Sequence, residues 1–223
     1  MKLDVVTANN PTEVVETLDL TPTKILGIGA NYRAHAAEMG KTVPAEPLVF
    51  MKAPSALLPN GGLIERPRGY DRVDFEGELG VIIGRSVRGV AAADALDYVL
   101  GYVCVNDVTV RDLQKRDNQW TRAKGFDTFC PLGPHLVTEL DPSDLHIVTR
   151  VNGTVRQDSR TSDMAFGVPA LIAHISAVMT LERCDVITTG TPSGVGPLVA
   201  GDEIAIDIEG IGTLTNRVVD APA

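Results

Sequence analysis

The sequence is poor in positive charge, and this shortage excludes several kinds of partner. Its 223 residues contain 20 Lys and Arg against 29 Asp and Glu, a formal net charge of −9. A nucleic acid or an anionic membrane surface is bound through basic patches, so neither is predicted as a partner. An anionic small molecule would need a local group of cations.

Cysteine and long apolar runs are also scarce. Cys104, Cys130 and Cys184 are far apart and form no CxxC pair. We therefore expect small buried thiols in a reduced, cytoplasmic protein. No segment resembles a signal peptide, and no apolar run approaches the roughly 18 residues of a membrane-spanning helix.

The glycine-rich segments lack the signatures of nucleotide binding. "TTGTPSGVG" (188–196) has no Gly-Lys-Ser/Thr ending, and "GIGANY" (27–32) has too few glycines for a dinucleotide fingerprint. The first segment could form a tight loop whose backbone N–H groups bind a carboxylate or oxyanion. A plain turn between strands is the alternative interpretation.

Apolar periodicity predicts a β-rich α+β fold with a few short helices. We divide the chain into an N-terminal segment (1–23) and one main domain (24–223). Strand patterns occur at 24–29, 47–52, 73–83, 99–107, 131–138, 145–153, 184–190 and 202–219. Helices are predicted at 31–40, 91–99 and 168–180. For the first helix, Asn31 is the predicted N-cap and Gly40 the predicted stop.

Three carboxylates lie at the ends of apolar strands. Glu76 and Glu78, in "VDFEGELGVII" (73–83), are two residues apart and so share one face of a strand. Asp107 ends the strand "VLGYVCVND". Buried carboxylates must be paired or bound to a cation, so a site for Mg²⁺ or Mn²⁺ is one interpretation. A solvated strand edge is the other.

Two further candidates could act on protons and anions. His35 and Glu38 lie three residues apart on one helix face, where a carboxylate can orient an imidazole that takes a proton from water. A surface pair that stabilises the helix is the alternative. Lys124 could neutralise an acidic site and bind an anion, or it could be an ordinary surface lysine.

Six segments in this order together resemble the fumarylacetoacetate hydrolase family, from about residue 24 to 217. They are "GANYRAHAAEMG", "DFEGELGVIIG", "GYVCVNDVTVRDLQ", "AKGFDTFCPLGP", "VNGTVRQDSRTSDM" and "TTGTPSGVG". The resemblance implies a mixed β-sheet roll, usually a homodimer. It also implies a divalent metal, normally Mg²⁺ with Mn²⁺ or Ca²⁺ as alternatives, on Glu76, Glu78 and Asp107.

The resemblance also assigns the remaining site residues. The family's catalytic His-x-x-Glu dyad falls on His35 and Glu38, and its catalytic, substrate-anchoring lysine on Lys124. Gln114 and Thr191 match positions that contact the substrate.

The chain resembles the short single-domain members of the family, which act on small anionic 2-oxo acids. We expect a metal-dependent enzyme that hydrolyses a C–C bond of an acylpyruvate through an enolate. The alternatives are an oxaloacetate-type decarboxylase, a hydroxymuconate-type isomerase or decarboxylase of aromatic catabolism, and a protein that binds a small acid without turnover.

Overall fold

The structure is a computed structural model that describes residues 1–40 and 42–222, and most of its elements are strands. Within these residues the strands β1 to β17 are Lys2–Thr7, Glu16–Asp19, Ile25–Gly29, Leu48–Lys52, Leu57–Pro59, Leu63–Arg66, Val73–Phe75, Gly77–Ile83, Val99–Asn106, Thr109–Val110, Cys130–Thr138, His146–Val151, Thr154–Arg160, Val186–Thr188, Gly196–Pro197, Glu203–Ile208 and Gly212–Asp220. The α-helices α1 to α4 are Arg33–Glu38, Arg111–Arg116, Thr121–Lys124 and Val168–Val178, and 3₁₀ helices cover Pro54–Ala56, Ala92–Tyr98 and Thr161–Asp163. The predicted β-rich fold with a few short helices is confirmed.

Two large sheets build the molecule. The nine-stranded sheet has the order β2-β1-β11-β9-β8-β14-β3-β4, and β5 adds to β11. The five-stranded sheet has the order β13-β12-β16-β17-β6, and a small third sheet is β10-β7-β15. The five-stranded sheet packs against β8, β9 and β11, which gives the β-sheet roll. The N-terminal segment contributes β1 and β2 to the nine-stranded sheet, where β1 pairs in parallel with β11.

Strand β8 lies inside the larger sheet, and this position explains its unbroken apolar run. It pairs antiparallel with both β9 and β14, and all seven of its residues are buried. When both faces of a strand are covered, odd and even positions must both be apolar. The register pairs Gly77 with Asn106, so the polar start of β8 lies beside the polar end of β9.

The first predicted helix is shorter than expected, and its predicted N-cap is wrong. Helix α1 covers Arg33–Glu38, with Tyr32 at the N-cap position and no side-chain cap. The Asn31 amide instead donates to the Thr189 carbonyl at 2.7 Å and the Phe166 carbonyl at 3.0 Å. Its side-chain oxygen accepts the Phe166 N–H at 2.9 Å. Tertiary partners have therefore taken the groups that would have capped the helix.

The other two helix predictions mark real elements. Helix α4 buries Leu171, Ile172 and Ile175 and packs against the 3₁₀ helix that replaces the predicted helix at 91–99. None of the helices in the described part of the chain is long and apolar enough to cross a bilayer.

Candidate active site

The three carboxylates come together where β8 and β9 meet. Glu76 joins β7 to β8, Glu78 is the second residue of β8, and Asp107 follows β9. The Asp107 N–H donates to the Glu76 carbonyl at 2.9 Å, which fixes the two chain ends side by side. One carboxylate oxygen from each residue lies within 4.8 Å of those of the others, and all three side chains are buried.

Three buried cations surround this cluster. Lys124 Nζ lies 2.7 Å from Glu76 Oε2 and 2.5 Å from Asp107 Oδ2. Lys52 Nζ lies 2.5 Å from Asp107 Oδ1. Arg111 Nη2 approaches Glu76 Oε1 to 2.6 Å as an ion pair without hydrogen-bond alignment. Pairing of this kind is what allows carboxylates to be buried.

The positive charge is shared unequally among the carboxylates. Burial alone would raise the pKa of Glu76, but Lys124 and Arg111 hold it well below its usual range. Burial raises the pKa of Glu78 well above its usual range, and the charges of Asp107 and Glu76 raise it further. Glu78 is therefore the carboxylate with too little cationic compensation.

The donor set fits a hard divalent cation. Three carboxylates that converge from two strands supply the oxygen ligands that Mg²⁺ and Mn²⁺ prefer. A cation among them would supply the positive charge that Glu78 lacks. The residues that could hold it are Glu76, Glu78 and Asp107.

The loop "TTGTPSGVG" turns backbone N–H groups onto carboxylates of the chain itself. The Gly190 N–H donates to Glu78 Oε2 at 2.8 Å. The Gly194 N–H donates to both Glu38 oxygens, at 3.1 and 3.2 Å. Both glycines have positive φ, +95° and +101°, which favours glycine at each position. The loop thus holds one candidate metal ligand and one member of the candidate dyad.

His35 and Glu38 form a hydrogen-bonded pair beside the carboxylates. His35 Nδ1 lies 3.2 Å from Glu38 Oε2, and the imidazole is buried while the Glu38 carboxylate reaches the surface. Nδ1 faces Glu38, so Nε2 is the ring nitrogen placed to take a proton. This burial next to the acidic cluster argues against the alternative of an exposed surface pair.

The structure gathers the predicted site residues around one cavity that is partly open to solvent. Those that line it are His35, Glu76, Glu78, Gln114, Lys124 and Thr191. The other two predicted residues contact lining residues: Glu38 contacts His35, and Asp107 contacts Lys124. Their catalytic and binding roles remain predictions.

Sequence reasoning missed two basic residues of the site. Arg111 lines the cavity, and its Nη1 donates to Gln114 Oε1 at 2.7 Å. The i, i+3 spacing of these residues in "RDLQ" was the available signal. Lys52 ends a predicted strand as an ordinary terminal lysine would, and nothing local marks its pairing with Asp107.

Aromatic side chains form another wall of the cavity. Lys124 Nζ lies 4.9 Å from the centre of the Phe50 ring, and Phe50 packs on Trp120 with ring centres 5.4 Å apart. The two rings bring an apolar surface next to the charged cluster.

Comparison with known proteins identifies the family. Residues 24–219 match the model of the fumarylacetoacetate (FAA) hydrolase C-terminal domain. The chain belongs to the fumarylacetoacetate hydrolase family. Oxaloacetate tautomerase YisK of Bacillus subtilis (strain 168) is 46% identical over 207 residues, which cover 87% of this chain and 69% of YisK.

Solved structures of the family share the fold. The 5-carboxymethyl-2-hydroxymuconate delta-isomerase of Mycobacterium smegmatis is 50% identical, with a TM-score of 0.86 over 92% of this chain and 81% of that one. The fumarylacetoacetate hydrolase of psychrophilic Exiguobacterium antarcticum is 42% identical, with a TM-score of 0.84 over 94% and 80% of the two chains. The relatives thus include isomerases and tautomerases as well as hydrolases.

Proposed function

We propose that the protein is a divalent-metal-dependent hydrolase that cleaves a C–C bond of an acylpyruvate, with Mg²⁺ as the working ion. The observation that carries this proposal is the buried imidazole of His35, which contacts Glu38 and lines the same cavity as Glu76 and Glu78. A pair that can take a proton from water, next to a site for a hard cation, is what such a hydrolysis requires.

The chain's own residues bind and orient the substrate. Lys124 and Arg111 line the cavity, and a divalent ion would add to them the positive charge that an anion needs in a protein with a net charge of −9. Gln114 and Thr191 lie in the same wall as candidate polar contacts for the substrate. A Mg²⁺ ion held by the three carboxylates would act as a Lewis acid toward the substrate carboxylate and 2-oxo group.

The dyad moves the proton. His35 Nε2 takes a proton from a water molecule, whose oxygen attacks the C4 carbonyl of the 2,4-dioxo acid. Glu38, on the Nδ1 side, orients the ring and stabilises its charged form. The C3–C4 bond then breaks, a carboxylic acid forms from the acyl group, and the proton returns to C3 to complete pyruvate.

Tautomerisation of oxaloacetate is the second candidate. The similarity to YisK supports it, since that protein is an oxaloacetate tautomerase 46% identical to this chain. Moving a proton between C3 and the C2 oxygen would use the same dyad and no attacking water. Decarboxylation of oxaloacetate and isomerisation of a hydroxymuconate-type diacid would likewise use the cavity without hydrolysis.

A substrate panel with matched variants tests the proposal. Acetylpyruvate, oxaloacetate and a hydroxymuconate-type diacid are assayed with Mg²⁺ and after exhaustive EDTA treatment. We expect Mg²⁺-dependent release of pyruvate from acetylpyruvate, and a loss of roughly 10²–10⁴-fold in kcat for His35→Ala. His146→Ala is the control, because His146 pairs with Asp158 at 2.7 Å on the surface.

A further comparison separates the reactions. Asp107→Ala should abolish every activity, whereas His35→Ala should spare a measurable share of any oxaloacetate decarboxylation. Full activity after EDTA treatment would exclude the metal. Tautomerisation of oxaloacetate without cleavage of acetylpyruvate would move the assignment to the second candidate.

We also propose a homodimer. Strand β4 ends the order of the nine-stranded sheet, and Leu48 and Met51 on it are 43% and 44% exposed. An apolar strand at a sheet edge is a surface that a second copy could cover. Light scattering coupled to size-exclusion chromatography measures the mass, and a single species at the chain mass of 23.7 kDa would contradict the dimer.

A further inference from the structure

Gly77 lies between two candidate metal ligands, Glu76 and Glu78, and distant side chains hold both of its backbone polar groups. Its N–H donates to Gln157 Oε1 at 3.0 Å, and its carbonyl accepts from Thr191 Oγ1 at 2.9 Å. These partners are 80 and 114 residues away in the sequence. The backbone that sets the spacing of the two carboxylates is therefore held from outside.

The side-chain amide of Gln157 links three segments of the chain, and both of its N–H groups donate hydrogen bonds. It lies on β13 of the five-stranded sheet and is 1% exposed. Besides accepting from Gly77, it donates through Nε2 to Thr191 Oγ1 at 2.7 Å and to the Pro192 carbonyl at 2.8 Å. One side chain thus links β13, the strand of the metal ligands and the glycine-rich loop.

This network also decides what Thr191 can offer a substrate. A hydroxyl group has one proton, and that of Thr191 goes to the Gly77 carbonyl. Gln157 occupies one of its two acceptor positions. While this network is intact, the hydroxyl can present only an acceptor to the cavity.

The packing around Gly77 leaves little room for the network to shift. A Cβ atom on this glycine would lie 2.1 Å from Thr149 Oγ1 and 3.1 Å from Gln157 Oε1. A contact of 2.1 Å is far inside the usual separation of non-bonded atoms. No larger residue fits at position 77, so none could take over the contact that the Gln157 amide makes with the Gly77 backbone.

We propose that Gln157 is a positioning residue for the metal site. It touches neither the ion nor the substrate, but it fixes the Gly77 backbone and the Thr191 hydroxyl relative to each other. This inference rests on the metal site of the proposed function. Residues that orient metal ligands from outside typically change metal affinity by about 10–100-fold when they are replaced. A buried glutamine with only a structural role would change folding stability alone.

Metal binding by the folded protein is the readout. Gln157→Met keeps the length of the side chain and removes its hydrogen bonds. We expect it to raise the Kd for Mn²⁺, measured from free Mn²⁺ by electron paramagnetic resonance, by about 10–100-fold.

Asn216→Leu is the matched control. Asn216 is a buried amide of the same sheet whose Nδ2 donates to the carbonyls of Pro59 and Gly62, at 3.0 and 2.9 Å, and none of these residues lines the cavity. It should lower the melting temperature and leave the Kd for Mn²⁺ unchanged.

Gln157→Glu is a second, more conservative variant that keeps an acceptor for the Gly77 N–H. We expect a smaller rise in Kd than for Gln157→Met, and it serves alone if Gln157→Met does not fold. Wild-type Kd values in the folded variants would overturn this inference and leave the proposed function intact. Failure of the wild-type protein to bind Mn²⁺ would overturn both.

Discussion

Replacing Arg111 with methionine should destabilise the protein by about 3 kcal/mol, because it removes a buried cation from two buried carboxylates. Arg111 Nε lies 2.8 Å from Asp74 Oδ2, and Nη2 lies 2.6 Å from Glu76 Oε1. Breaking a buried ion pair from one side costs about 3–5 kcal/mol. We expect the low end of this range, since Asp74 keeps the half-exposed Arg72 and Glu76 keeps Lys124.

Calorimetry of the EDTA-treated protein measures the effect without any contribution from a bound ion. For a chain of this size, each kcal/mol changes the melting temperature by about 2–4 °C, so a fall of roughly 6–12 °C is expected. Arg122→Met is the control. Arg122 makes a similar two-point contact with Asp117, at 2.8 and 2.9 Å, but its side chain is 55% exposed. Such surface pairs contribute about 0–1 kcal/mol.

The comparison between the two arginines decides whether burial controls the effect. A melting temperature for Arg111→Met within about 2 °C of the wild type, or equal to that of Arg122→Met, would refute the argument from desolvation. The double variant Arg111→Met/Asp74→Asn should recover part of the loss, because it also removes the charge of one of the two buried carboxylates that lose Arg111.

Two other predictions concern the loop and the acidic cluster. Gly194→Ala should lower kcat by roughly 10²-fold in a steady-state assay. The new Cβ would lie 1.9 Å from the Arg156 carbonyl oxygen, and the φ of +101° is unfavourable for alanine, so the backbone would shift and the N–H that donates to Glu38 would be displaced. An unchanged kcat would show that Glu38 does not need this contact. In EDTA, the free energy of unfolding should fall as the pH rises above 4.5, the usual pKa of a glutamate. Burial and neighbouring carboxylates raise the pKa of Glu78 in the folded protein, so in this range the folded state binds more protons than the unfolded state and loses stability as the pH rises. Urea titrations from pH 5 to 8 should show a weaker slope for Glu78→Gln, and equal slopes would contradict the shift.

The sequence predicts much of the fold because its strands are strongly patterned. The run at 73–83 becomes β7 and β8 with one break at Glu76. Asn152 and Gly153 form a hairpin turn between β12 and β13 with positive φ at both residues, which the Asn-Gly pair favours. Strands β1 and β2 escape prediction because their segment is polar and interrupted by Pro11. One neighbour of β1 in the sheet is β11, which comes from far along the chain, so the local sequence does not reveal this pairing.

The candidate site is predicted less completely than the fold. Local spacing suffices for both pairs, since His35 and Glu38 lie on α1 and Glu76 directly precedes the strand that contains Glu78. The role of Gln157 depends on a partner 80 residues away, and no local pattern can reveal such a contact.

The composition of the buried cluster gives a physical reason for the protein to take a metal and then an anion. Among the described residues, the cluster contains four buried carboxylates and three buried cations, Asp74, Glu76, Glu78 and Asp107 with Lys52, Arg111 and Lys124, and the half-exposed Arg72 also pairs with Asp74. None of these cations forms an ion pair with Glu78, and burial and the charges of Asp107 and Glu76 raise the pKa of this carboxyl. A divalent ion among the carboxylates would add positive charge beside Glu78, so the cavity would attract a carboxylate in a chain whose net charge is −9. Glu78, whose charge burial makes unfavourable, is thus what would let the site hold the ion and, through it, the substrate.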